Sequence, residues 1–209
     1  GAVFKTADGE KWSLVARAER PSKTHWIRST AQGNGVIVAS GDFGPIEVFD
    51  PKTGKIAVTQ MAGQKDKQPG IFRVAFGNGV FVAGGQAGVL TVSKDGKTWE
   101  NNETNAERGD VQCVAFTGKE FLVTTTKGPL KSVDGRKWEP VKGKVPGQIR
   151  PINGWLYGYG WPPSKLSRSR TGETWEPVPN EKEWQGKAYA FGPLSGGEPP
   201  PLPQPPKKP

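Results

Sequence analysis

The sequence predicts an all-β fold built from repeated antiparallel meanders, and three observations carry that expectation. A short phrase of the form S/T-x-D-G-x-x-W recurs along the chain. Its glycines return at a near-constant interval. Between copies run short β-prone stretches bounded by turn residues, with no convincing helical periodicity.

The clear copies are Thr6, Asp8, Gly9 and Trp12; Ser93, Asp95, Gly96 and Trp99; and Ser132, Asp134, Gly135 and Trp138. A worn copy keeps Ser169, Gly172 and Trp175 but has Thr171 in place of the acid, and a weaker one reads Asp50 to Ile56 around Gly54. The five glycines, at 9, 54, 96, 135 and 172, give a period of 37–45 residues. Repetition at that interval indicates stacked or radial units. An Asp-Gly pair between alternating apolar residues marks a hairpin, because glycine takes positive φ at little cost. The acid and the preceding hydroxyl can accept hydrogen bonds from turn N–H groups, and the tryptophan supplies one large apolar anchor per hairpin.

Upstream of the turns the pattern continues. Residues 71–76 lead through Gly77-Asn78-Gly79 into 80–83, and residues 111–116 lead through Thr117-Gly118-Lys119 into 121–123. Gly33-Asn34-Gly35 precedes 36–38, and Asn153-Gly154 precedes 155–157. Two successive hairpins make a four-stranded up-and-down meander.

The S/T-x-D-G-x-x-W phrase resembles the Asp-box of the bacterial neuraminidase (BNR) repeat of sialidase-like β-propellers, over most of the chain. The resemblance implies a β-propeller of four-stranded blades, about five of them present. It places the boxes on the turn between the third and fourth strands, away from the ligand face. Asp8, Asp95 and Asp134 are then structural rather than catalytic or metal-binding.

On this reading residues 1–14 hold the last two strands of one blade. Full blades occupy 27–59, 71–101, 111–141 and 148–178, and 187–192 echo an innermost strand. The pattern opens mid-blade, as expected of the C-terminal part of a larger six- or seven-bladed propeller, with a tight five-bladed closure as the alternative. Residues 193–209 are proline-rich and read as an extended linker.

The 209 residues, with 29 Gly and 20 Pro, suit one domain of short strands and many turns. No apolar run reaches membrane-spanning length and no signal peptide is visible. Cys113 is the single cysteine, which excludes an internal disulfide, and His25 is the single histidine. No cofactor or metal site is expected. The net charge of +9 favours anionic partners. Its cations are scattered, however, and Tyr157, Tyr159, Trp161, Arg168 and Arg170 come nearest to the basic, aromatic stripe that nucleic-acid binding wants. A strand-rich blade explains them equally well, so nucleic acid is not the expected partner.

Arg28, Arg73 and Arg150 stand at or near the start of inner strands, where converging guanidinium forks could bind a carboxylate. Sialidases use an arginine cluster of this kind, but Phe72-Arg73-Val74-Ala75 lacks the family's F/Y-R-I-P proline. None of the three tyrosines has an evident glutamate partner for nucleophilic work. Asp42 is the sole acid on a second-to-third strand loop, while Trp26, Phe43 and Trp161 are candidate ligand-face aromatics. The leading expectation is a non-catalytic propeller that binds a protein or glycan, or serves assembly, in the bacterial envelope or outside the cell. A sialidase-type glycoside hydrolase and a carbohydrate-binding module are the alternatives.

Overall fold

The computed structural model describes residues 2–17, 26–42, 46–59, 70–101, 108–160 and 166–179. The two-stranded hairpin of β1 (Ala2–Lys5) and β2 (Ser13–Arg17) comes first. Four antiparallel sheets follow, each of four strands in sequence order. They are β3 (Ile27–Gly33), β4 (Val36–Gly41), β5 (Ile46–Asp50) and β6 (Lys55–Thr59); β7 (Arg73–Gly77), β8 (Val80–Gly84), β9 (Leu90–Ser93) and β10 (Glu100–Asn101); β11 (Val111–Phe116), β12 (Phe121–Thr125), β13 (Gly128–Ser132) and β14 (Glu139–Pro140); and β15 (Gln148–Ile152), β16 (Trp155–Tyr159), β17 (Ser167–Ser169) and β18 (Glu176–Pro177). The expected all-β architecture of four-stranded blades is what the chain forms. The 187–192 strand and the 193–209 tail lie outside the described residues.

The core is a series of slabs, each made by two successive blades. Val38, Ile46 and Val48 of the first full blade pack with Ile71, Val74, Phe81 and Trp99 of the second. Val82 and Val92 of the second pack with Val111, Val114 and Phe121 of the third, beside Trp138. Cys113, Ala115 and Leu122 meet Ile149 and Leu156, beside Trp175. Each blade therefore buries its face only against a neighbour. The hydrophobic gain, about 25 cal/mol per Å² of apolar surface, arises between repeats rather than within them.

The S/T-x-D-G-x-x-W turns are closed by their own side chains. In the β9–β10 turn Ser93 Oγ accepts from Gly96 N (2.8 Å), and Asp95 Oδ1 accepts from Lys97 N (2.7 Å) and Thr98 N (2.8 Å). Trp99 Nε1 donates to Gly96 O (2.8 Å). The turn of residues 132–138 repeats every one of these bonds, as does that of residues 6–12 with Thr6 in place of serine. Thr171 is a weaker substitute for the acid: its hydroxyl accepts only Glu173 N, at 3.3 Å. The Asp50 turn differs. There Gly54 N donates to the backbone carbonyl of Asp50 and Lys52 N to its carboxylate, and no tryptophan follows.

Candidate functional site

The innermost strands β3, β7, β11 and β15 stand side by side and line an open cavity of about 700 Å³. Gln32, Phe76 and Phe116 line it near one end and Arg28 near the other, with Arg150 at mid-strand, level with Ala31 and Ala75. At that second end neighbouring blades are joined by Ile71 N to Gly41 O (3.1 Å) and Val111 N to Gly85 O (2.8 Å), while the first two strands of each of the first three full blades are tied by a backbone bond beyond their ladder. Asp42 N donates to Trp26 O (3.0 Å), Gln86 N to Gly70 O (2.9 Å) and Thr126 N to Asp110 O (3.0 Å). The approach is tight because a Cβ on Gly41 would overlap Trp26 O, so glycine is required there.

The three arginines start from different registers, lying six, five and three residues before the hairpin asparagines 34, 78 and 153. A bulge in the β3–β4 pairing falls at Arg28, between Ile27 and Ser29. Arg28 grips Asp42 with both forks, Nε to Oδ1 at 2.5 Å and Nη2 to Oδ2 at 2.7 Å, and lies over the Phe72 ring. The carboxylate is buried while the guanidinium is half-exposed, and the pairing holds Arg28 more firmly protonated than usual.

Arg73 reaches further. Its Nη1 donates to Phe72 O (2.8 Å) and its Nη2 to Gln148 Oε1 (3.1 Å), two blades away. Gln148 in turn donates to Gln112 O (3.1 Å), so Arg73, Gln148 and Gln112 tie the second, third and fourth full blades together. Burial pushes Arg73 below the ordinary arginine value, Cys113 opposes, and Arg150 and Arg28 push it lower again. All three cations thus share one field. They do not share one partner: Asp42 takes Arg28, and backbone and glutamine oxygens take Arg73. Exposed Arg150 makes, among the described residues, one long bond to its neighbour's carbonyl, Ile149 O, at 3.5 Å.

Trp26 is 67% exposed beside this mouth. Phe43, Trp161 and His25 lie outside the described residues. Cys113 is buried in β11 between two blades, accepts from Ile149 N (3.3 Å) and donates to Ile149 O (3.6 Å), and burial raises its thiol above the ordinary value. No cluster of three or more metal-ligating side chains exists among the described residues, nor a helix long and apolar enough to cross a membrane. The glutamines 112 and 148 carried no sequence signal. Their role depends on a ring that brings residues 75 positions apart into contact.

No family model matches the chain, and no curated protein sequence does. Solved structures do, at the level of fold. YCF48 bound to a D1 peptide superposes with a TM-score of 0.59 at 15% identity, over 74% of this chain and 54% of that one. An ancestral GH74 enzyme gives 0.54 at 18%, over 85% and 29%. The WD40 β-propeller domain of Doa1 gives 0.51 at 13%, over 80% and 57%. The chain spans between roughly a third and a little over half of these three. With four blades in sequence order around a central cavity, it has the β-propeller fold.

Proposed function

We propose that this chain is a non-catalytic, Asp-box (BNR-type) propeller that docks an acidic protein segment in the channel, from Trp26 near its mouth to Arg150 on its wall. The observation that carries this reading is how the charges are used. Asp42, the acid expected at this face, is taken up by both forks of Arg28, whereas Arg150 and Trp26 remain exposed. An exposed guanidinium on the channel wall and an exposed indole near its mouth suit a carboxylate-bearing peptide, with the net charge of +9 steering the encounter. The likeness to YCF48, a protein solved with a D1 peptide, and to a WD40 domain is in keeping with a protein-binding scaffold. A place in the bacterial envelope or outside the cell accompanies this proposal.

A labelled acidic decapeptide, with its Gln-substituted twin as control, tests it by fluorescence polarisation. The acidic peptide binds and the twin does not; Arg150→Ala and Trp26→Ala each weaken binding by about tenfold. Equal binding of both peptides overturns the reading.

The field shared by Arg28, Arg73 and Arg150 favours one second reading, a site for a sugar carboxylate as in a sialidase-type hydrolase or a carbohydrate-binding module. Turnover of a fluorogenic sialoside, abolished by Arg73→Lys, supports the hydrolase. Binding of N-acetylneuraminic acid without turnover supports the module.

A further inference from the structure

Each of the first two seams between full blades is fastened by one asparagine. Asn34 Nδ2 donates to Gly79 O (2.9 Å) and Lys94 O (2.7 Å), and Asn78 Nδ2 to Lys119 O and Val133 O, both at 2.9 Å. In each case one carbonyl belongs to the first hairpin of the following blade and the other to its tryptophan turn. Both amide hydrogens are thus engaged across the seam, where two acceptors face one nitrogen. The third full blade turns without an asparagine, and its Thr117 closes on its own loop instead. The Thr117 hydroxyl accepts from Lys119 N (3.3 Å) and Glu120 N (3.1 Å) and donates to Glu120 O (3.0 Å). What asparagine adds in the first two blades is the reach into the next one.

Both asparagines precede a glycine in exposed two-residue turns. Asn34 and Asn78 take φ of 45° and 46°, and Gly35 and Gly79 take 79° and 76°, the paired positive values that such turns need. An Asn-Gly pair is also where a side-chain amide is most open to attack by the main chain, because glycine has no Cβ to shield its nitrogen. The Gly35 nitrogen, on losing its proton, adds to Asn34 Cγ. The Cγ–Nδ2 bond breaks, ammonia leaves carrying that proton, and a five-membered succinimide remains. Water then opens either imide C–N bond, giving aspartate or isoaspartate. Gly79 and Asn78 stand in the same relation.

We propose that Asn34 and Asn78 are latent deamidation sites guarded by the seams they fasten. While a seam is closed, two carbonyls hold Nδ2 in place and keep Cγ from swinging onto the glycine nitrogen. When neighbouring blades part, the amide is released and the reaction runs. Its product cannot refasten the seam. Aspartate puts an anionic oxygen, with no proton to donate, where Nδ2 met two carbonyl oxygens at 2.7 to 2.9 Å. Isoaspartate also adds a carbon to the main chain of turns whose flanking pairs, Gly33 with Val36 and Gly77 with Val80, span two residues. Each seam therefore opens reversibly until it loses its amide and irreversibly afterwards.

The test follows both sites in the 209-residue chain by peptide mapping and mass spectrometry, in mildly alkaline buffer with and without denaturing urea. Asn34 and Asn78 are expected to deamidate at least about tenfold more slowly in the folded chain than in the unfolded one. Val38→Ala, which thins the first seam, speeds the reaction at Asn34 more than at Asn78, and Val82→Ala in the second seam does the reverse. Asn34→Asp and Asn78→Asp lower the urea midpoint further than the corresponding changes to alanine, which remove the donor without adding a charge. Equal rates in the folded and unfolded chain overturn the proposal, as does an unfolded chain in which neither site reacts. Equal acceleration of both sites by either valine change overturns it too, because global unfolding would then expose the amides. So do aspartate variants as stable as their alanine counterparts.

Discussion

The turns of residues 6–12 and 93–99 are closed by the same hydrogen bonds, yet one tryptophan is 62% exposed and the other 6%. The difference lies in the preceding blade. Trp99 and Gly96 lie on the face made by Val38 and Val48, whereas Gly9 has open space where that face would be. The turn is therefore a local product of its own seven residues, and its burial is a gift of the neighbour. Each repeat is a finished turn on an unfinished core.

The largest test of that comparison is tryptophan truncation. Trp99→Ala should cost about 3–5 kcal/mol, the range for an aromatic removed from a core, whereas Trp12→Ala should cost under about 1 kcal/mol. Urea denaturation of both variants reads the difference directly, and equal costs would break the comparison.

Next come the glycines. Gly9 and Gly96 both take positive φ, 81° and 73°, so an alanine at either strains the backbone by about 1–2 kcal/mol. At Gly96 the added Cβ would also lie 2.6 Å from Val38 Cγ2. Gly96→Ala should accordingly lower the denaturation midpoint more than Gly9→Ala, by a margin that measures the inter-blade contact alone.

The smallest effect is electrostatic. Burial raises the Asp95 and Asp134 carboxyls, but the turn N–H donors and the serine hydroxyl outweigh it and hold both below their ordinary value of 3.8. Asp8, fully exposed, is lowered by the N–H groups of Lys11 and Glu10 and the Thr6 hydroxyl. A carboxyl depressed on folding contributes stability that is present above its unfolded value and lost as pH falls through its folded one. Stability should thus decline as pH drops below about 3.8, and Asp134→Asn should flatten that decline at a cost of about 1 kcal/mol at neutral pH. An unchanged acid limb in this variant would show that the turn carboxylates are not what titrates.

The meander was legible because its signals are local: Asp-Gly and Asn-Gly turns, two-residue alternation, and a tryptophan at fixed spacing. The first full blade shows where that stops. The strand after the Asp50 turn runs five residues (Lys55–Thr59), as does β2 (Ser13–Arg17) after Trp12, whereas in the other three full blades it is two residues long, as in Glu100–Asn101, and the turn phrase does not encode that difference. The site was legible only as a set of residue types. Arg28 and Asp42 each stood out in sequence, but their pairing across 14 residues depends on the bulge at Ile27 and Ser29. Arg73 bonds Gln148 because four blades curve around one cavity, and no short-range pattern encodes curvature.

The most direct measurement is hydrogen exchange at the indole N–H groups of Trp12 and Trp99 by NMR, at a concentration where the chain is monomeric. Both donate to the carbonyl of their own turn glycine, at 3.1 and 2.8 Å. If the neighbouring blade decides burial, the Trp12 proton exchanges at least about a hundredfold faster than that of Trp99. Comparable protection at the two sites would contradict the account, because the local turn would then suffice.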